Sequence, residues 1–242
     1  MALSNKGAVL VTGGAKRLGR AVALEFAQHG YDVVIQYNHS LADAEQTATD
    51  IRSLGVQCWL QKQELSEIEA LDGFLQRAHK DAPHLKVLVQ AAAMFEPQPF
   101  DEMKLDDFRH QMSVNMEAPI FLAQAFAKQA KQGAIINFID NYTEQHKTRF
   151  FAYLLSKKSL LDATRMMAAN LGPDIRVHGV SPGTTLPSPG FDEAYIRARA
   201  DKNPLKHLTT PEEIAGTVRY LAEATHLTGQ ILTVDGGEYL CW

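Results

Sequence analysis

Short apolar runs alternate with longer amphipathic stretches along the whole chain. The runs are Ala8–Thr12, Asp32–Tyr37, Val56–Leu60, Lys86–Gln90, Ala134–Ile139, Ile175–Val180 and Gln230–Val234, dominated by Val, Ile, Leu and Ala. Their continuity, rather than an apolar/polar alternation, predicts strands buried on both faces. Between them apolar residues recur at helical spacing, from Leu18, Val22 and Phe26 after the first run to Val218 and Leu221 before the last. Strands alternating with helices predict an α/β fold of three layers, a sheet of about seven parallel strands with helices on both faces. Ser40-Leu41-Ala42-Asp43, Ser66-Glu67-Ile68-Glu69 and Thr210-Pro211-Glu212-Glu213 predict helix N-termini closed by capping boxes. A helical pattern over residues 105–131 is interrupted at Asn115-Met116-Glu117-Ala118-Pro119, where proline removes a backbone donor; Asn115 there reads as a structural residue. No repeat, low-complexity tract or linker breaks the pattern, so residues 1–242 read as a single domain.

Composition narrows the function classes. With 45% hydrophobic and 21% charged residues, a chain of 242 residues buries an ordinary core. A net charge of −4 and the lack of a long Lys/Arg run give no footprint for nucleic acid or a membrane surface, which leaves small molecules and other protein chains as partners. Cys58 and Cys241 are far apart in sequence, and none of the nine histidines forms a His-x-x-x-His pair, so neither a disulfide framework nor a metal site is expected. Met1–Lys6 runs straight into an apolar stretch too short for a signal peptide or a membrane span, and a cytoplasmic location is expected.

The first strand leads into Thr12-Gly13-Gly14-Ala15-Lys16-Arg17-Leu18-Gly19. Strand, glycine turn and helix in this order suit a pyrophosphate, because glycine admits a close approach and a helix N-terminus offers unpaired N–H groups; the sheet is then of the doubly wound Rossmann type. Thr12, Gly13, Lys16, Arg17 and Leu18 are the candidate cofactor contacts here, although Arg17 stands where a middle glycine is usual. The second strand ends at Asn38, His39 and Ser40 without a carboxylate for an adenosine ribose. That absence, with Lys16 and Arg17 across the turn, favours a 2′-phosphate and hence NADP(H). Ser40 has the competing role of helix cap. Beyond the third strand Leu65 is a candidate for the adenine pocket, and an ordinary loop leucine would look the same. After the fourth strand Ala91 and Ala92 permit close ligand approach, and Phe95 offers a flat face to a planar ring or a side chain to the core. Ser181-Pro182-Gly183 opens a segment rich in Pro and Gly to residue 190, with the composition of a mobile lid or of a surface loop.

Proton chemistry is suggested by Asp140 and by Tyr153 and Lys157. A helix over residues 151–172 puts Tyr153 and Lys157 one turn apart on one face, where an ammonium lowers the phenol from its usual pKa of about 10. Asp140 closes the fifth strand, where ligands bind in open α/β sheets, and it also suits a turn cap.

Together these motifs resemble the short-chain dehydrogenase/reductases over essentially the whole chain: Thr12-Gly13 to Gly19, Asn115, Tyr153 with Lys157, Pro182-Gly183 and Asp235-Gly236-Gly237 agree in order and spacing. The resemblance implies an NADPH-dependent oxidoreductase in which Tyr153 is the acid or base, Lys157 lowers its pKa and binds the nicotinamide ribose, Asn115 supports a proton relay, and Ala91, Ala92, Pro182 and Gly183 line the cofactor. Asp140 in place of the usual serine and Arg17 in place of glycine resemble the pteridine reductase branch. There the aspartate pairs with the tyrosine, the arginine lies near substrate and cofactor phosphate, and a phenylalanine at the position of Phe95 stacks on the pterin. Ala91 departs from an asparagine common in the family. The implied substrate is a dihydropterin or dihydrofolate and the implied assembly a homotetramer built partly on the helix bearing Tyr153, with Leu240-Cys241-Trp242 suited to burial against a neighbour. A carbonyl or ketoacyl reductase of the same fold, or a non-catalytic NADP(H)-binding regulator, are the alternatives.

Overall fold

The computed structural model describes residues 5–146, 149–186 and 193–241; residues 187–190 of the Pro/Gly segment and Trp242 lie outside them. Seven parallel strands, β1 (Ala8–Thr12), β2 (Asp32–Tyr37), β3 (Cys58–Lys62), β4 (Leu85–Gln90), β5 (Gly133–Phe138), β6 (Ile175–Pro182) and β7 (Ile231–Val234), form one sheet in the order β3-β2-β1-β4-β5-β6-β7. In β1, Val9 and Val11 join one buried cluster while Ala8 and Leu10 join the other, so a period of two feeds two cores at once. On the first face pack α1 (Arg17–Gln28), α2 (Leu41–Ser53) and α8 (Pro211–Glu223), through Phe26, Ile51 and Val218. On the second pack α3 (Leu71–Asp81), α5 (Ala118–Gln129) and α6 (Phe151–Leu171), through Phe74, Phe126 and Ala168. Helices α4 (Leu105–Met112) and α7 (Glu193–Ala200) complete the chain.

The strand order reverses between β1 and β4, so chain leaves these two neighbours in opposite directions and opens a crevice at their carboxyl ends. The helical interruption predicted near Asn115 is a π-helical turn, Ser113–Glu117, between α4 and α5; Pro119 lies in the first turn of α5, where its missing N–H costs no helical bond.

Two predicted caps are not made. Ser40 precedes α2 but its hydroxyl caps nothing, and Asp43 faces Lys16 at 3.6 Å instead. The Ser66 hydroxyl donates to Glu64 (3.0 Å), and α3 starts only at Leu71, after a short 3-10 turn. The third box forms: the Thr210 amide donates to Glu213 Oε2 (2.8 Å), and the Glu213 amide to Thr210 Oγ1 (3.2 Å). The third strand begins two residues later than predicted, because the Gln57 amide is taken by Asp32 Oδ1 (2.7 Å) and regular pairing with β2 starts at Cys58.

Candidate active site

At the mouth of the crevice the turns after β1 and β4 touch. The Ala92 amide donates to Thr12 Oγ1 (3.2 Å), and a Cβ on Gly13, whose φ is +63°, would lie 3.0 Å from Ala92 Cα. Gly19 is more constrained still, since a Cβ there would fall 2.1 Å from the Gly13 carbonyl oxygen. Buried Gln36 holds this turn in place: its Oε1 accepts from the Gly13 amide (2.8 Å) and its Nε2 donates to the Gln63 carbonyl (2.7 Å). Lys16, at the N-cap of α1, gives no side-chain cap. A helix N-terminus behind a glycine turn is a donor set that fits the pyrophosphate of a dinucleotide.

Arg17 is exposed and has a left-handed backbone, φ 54°, a conformation costing an L-residue roughly 1–2 kcal/mol. Leu18 packs against the first core layer, as does Ala91, a methyl where the resembling family carries an amide. Lys16 lies near Asp43 on the exposed surface, and His39 is exposed beside half-buried Asn38 and Ser40. β2 itself ends without a carboxylate, as expected, but one reaches its end from a neighbouring segment. Asn38 donates to Glu64, which arrives from beyond β3 and was invisible to a reading of β2 alone. Burial raises the Glu64 carboxyl, but the amide and hydroxyl of Ser66 and the Asn38 amide outweigh it and hold the group below the usual range. Leu65 is buried in the second core layer with Leu71 and Leu88, the position that an ordinary loop leucine would also take. At the end of β6, Pro182 is half-buried and Gly183 is pressed so close to Asp235 that a Cβ would stand 2.4 Å from the Asp235 Cβ.

Deeper in the crevice α6 presents Tyr153 and Lys157 on one face, both buried. The Tyr153 hydroxyl donates to Asp140 Oδ2 at 2.6 Å. The other oxygen of Asp140 accepts from the Tyr142 amide (2.8 Å) and caps the turn Asn141–Glu144, so one carboxyl serves both as cap and as partner of the phenol. Lys157 Nζ donates to the Phe138 carbonyl (2.7 Å) and lies 5.9 Å from the Tyr153 ring centroid.

The expected electrostatics are reversed. Burial, then the adjacent Asp140, push the Tyr153 phenol well above its usual pKa, while burial brings the Lys157 ammonium down to about 8 against the pull of Asp140. Burial also raises the Asp140 carboxyl, despite its bonds to Tyr153 and Tyr142 and the charge of Lys157. Sequence spacing places the ammonium near the phenol but carries no record of desolvation, which dominates all three groups.

Asn115 is fully buried and is not brought to the phenol. Its Oδ1 accepts from the Met94 amide and its Nδ2 donates to the Met94 carbonyl, both at 2.8 Å, which clamps the loop after β4. Phe95, on that loop, is half exposed. Its ring stacks on Phe150 at 4.6 Å and 11° and meets Tyr153 nearly at right angles at 4.7 Å. Phe150 was missed from sequence, although its place three residues before Tyr153 was a usable signal. Gln36, Glu64 and Glu238 were missed as well, since each acts across tens of residues. Among the described residues no group of three or more His, Cys, Asp or Glu side chains could hold a metal ion, and no helix is long and apolar enough to cross a membrane.

A family model described as enoyl-(acyl carrier protein) reductase matches residues 13–238. The chain is 31% identical to an L-rhamnose 1-dehydrogenase (NAD(P)(+)) of Sphingomonas sp., over 96% of each chain. It is 24% identical to a dihydromonapterin reductase of Enterobacter sp., again over 96% of each. Among solved structures, FolM alternative dihydrofolate reductase 1 from Brucella canis, complexed with NADP, superposes with a TM-score of 0.94 at 31% identity, covering 100% of this chain and 97% of that one.

Proposed function

We propose, from the premise that the chain belongs to the short-chain dehydrogenase/reductase family, that it is an NADPH-dependent reductase of a pteridine, a dihydropterin or dihydrofolate, taken to the tetrahydro form. The Tyr153–Asp140 hydrogen bond carries this reading, because it supplies a proton path suited to a ring nitrogen rather than a hydroxyl suited to a ketone oxygen. The dihydromonapterin reductase and the FolM dihydrofolate reductase among its relatives support it. In this reading Thr12, Gly13 and Leu18 hold the pyrophosphate, while Lys16, Arg17, Asn38, His39 and Ser40 recognise the adenosine phosphate. Ala91, Ala92, Pro182, Gly183 and Lys157 flank the nicotinamide end.

NADPH held by these residues would supply the hydride for the carbon of a ring C=N bond. Tyr153 would give its proton to the ring nitrogen, on which the π electrons of the reduced bond come to rest. A phenol of such high pKa is a weak acid alone; Asp140, held above the usual carboxyl range, would return the proton in its protonated form, in which the bond to Tyr153 reverses and the carboxyl donates to the phenol oxygen. The charge thus ends on the Asp140 carboxyl, where Lys157, a cation below its pKa of about 8, offsets it. Phe95 offers the substrate ring an aromatic face, with Arg17 at the cofactor side, and Asn115 fixes the loop bearing Phe95 through Met94.

The test is NADPH oxidation by the purified protein with a dihydropterin, a dihydrofolate and a simple ketone in parallel, repeated with NADH. Turnover of a pterin or folate with preference for NADPH is expected; turnover of the ketone alone would overturn the substrate assignment. Tyr153→Phe is expected to cut turnover by at least about 100-fold while leaving NADPH binding intact, and unchanged turnover would remove Tyr153 from the proton path.

A further inference from the structure

Glu238 opens the turn Glu238–Cys241 after β7, and the residue is only 2% exposed. A carboxylate taken out of water is tolerated when donors replace its hydration. Here they come from three separate parts of the chain. Oε2 accepts from the Thr184 amide (2.8 Å) and from Asn141 Nδ2 (3.1 Å). Oε1 accepts from Thr184 Oγ1 (3.0 Å), from the Tyr142 hydroxyl (3.3 Å) and from Arg199 Nη2.

These donors sit at telling places. Asn141 and Tyr142 directly follow Asp140, and the Tyr142 amide is the group that holds Asp140 Oδ1. Thr184 directly follows Pro182-Gly183, and Arg199 stands on α7. Asp235 steadies the turn that presents Glu238: it accepts from Asn141 (3.1 Å) and from the amides of Gly237 (2.9 Å) and Tyr239 (2.8 Å). The packing leaves no slack, since a Cβ on Gly183 would stand 2.7 Å from Glu238 Oε2.

We propose that Glu238 is a positioning residue for the reaction: from outside the reacting centre its carboxylate pins Asn141-Tyr142, Thr184 and Arg199 together and so fixes Asp140 relative to the segment after β6. The proposal rests on Asp140 being the proton carrier. A displacement of about 1 Å in such a group costs up to about 100-fold in rate. Burial raises the Glu238 carboxyl, but the Thr184 amide and hydroxyl and the Arg199 guanidinium outweigh it and keep the group ionised. Its charge in turn helps to raise Asp140, which is faced by Tyr153 and Lys157 from α6, by the Tyr142 amide from its own segment and by Glu238 from the C-terminal turn. Arg199 is the cation that balances Glu238.

Two variants separate positioning from mere stability, assayed on whichever of the three test substrates the wild type reduces. Glu238→Gln keeps the shape but removes the charge; kcat is expected to fall about tenfold, and the alkaline limb of its pH profile to move to lower pH. Arg199→Gln leaves Glu238 less compensated and is expected to move that limb to higher pH. Profiles superimposable on the wild type in both variants would overturn the proposal, whatever happens to Tm. A wild type that reduces only the ketone would overturn the pteridine assignment and leave the Glu238 test standing, because the limb is read on the ketone.

Discussion

Two aspartates sit at opposite ends of the sheet, Asp32 buried and Asp140 half-buried, and have opposite lives. Asp32, at the amino end of β2, accepts from Asn5 Nδ2 (2.7 Å) and the Gln57 amide (2.7 Å) and meets His84 Nε2 at 2.8 Å. Those partners come from the N-terminal segment, the start of β3 and the start of β4, so Asp32 ties the amino ends of the strands together. Asp140, at the carboxyl end of β5, has one backbone donor and a phenol, and its carboxyl is held above the usual range. The backbone follows the same division. Among the described residues, the two non-glycine positions with left-handed backbone, Arg17 and Lys206, both lie beyond the carboxyl ends of the strands. The amino end holds its aspartate by three donors drawn from separate segments, whereas the carboxyl end keeps a left-handed backbone at Arg17 and a raised carboxyl at Asp140.

The contrast is tested hardest by Asp140→Asn. Turnover is expected to fall by about 100-fold or more, with stability moving the other way. A carboxyl whose folded pKa is raised favours folding below its unfolded value of about 3.9 and loses that contribution as pH rises through the folded value. Asparagine does not titrate, so the variant's Tm should exceed that of the wild type at neutral and alkaline pH, with the gap closing towards pH of about 4. A Tm lower than wild type across that range would mean that Asp140, like Asp32, is there for cohesion. Arg17→Gly sharpens the picture at the same end. It relieves the left-handed backbone, and it should raise the KM for NADPH about tenfold with little change for NADH, as loss of a charged phosphate contact implies; equal effects on both cofactors would show that Arg17 does not read the phosphate. Asp32→Asn has the smallest effect on function. A loss of about 1–3 kcal/mol in denaturant unfolding is expected, with kcat/KM unchanged, and a fall in kcat/KM would break the division between the two ends.

The fold was legible because its signals are local and redundant. Seven apolar runs, the glycine turn at Gly13 and the box at Thr210 each repeat what their neighbours say. The unmade caps show where local signals fail: the Ser66 hydroxyl was claimed by Glu64 and Asp43 turned to Lys16, neither of which a four-residue motif can register. In the site, helical spacing gave Tyr153 and Lys157, and strand position gave Asp140. The direction of their pKa shifts was not legible, since it follows from burial built by residues distant in sequence. The Glu238 hub was hidden for the same reason, with Asn141 and Tyr142 lying 97 and 96 residues away.

The stacked pair Phe95 and Phe150 has a thermodynamic consequence for selection. A ligand ring that takes the Phe150 side of Phe95 replaces a contact the protein already makes with itself, so binding becomes an exchange between two aromatic partners. Such an exchange is close to neutral for a flat, polarisable heterocycle and unfavourable by about 0.5–1.5 kcal/mol for a saturated ring, which forfeits the aromatic contact without returning one. On the reading that the substrate stacks on Phe95, the protein's own benzene ring would set the threshold that an incoming molecule has to match, and planarity would be selected by exchange rather than by a hydrogen bond.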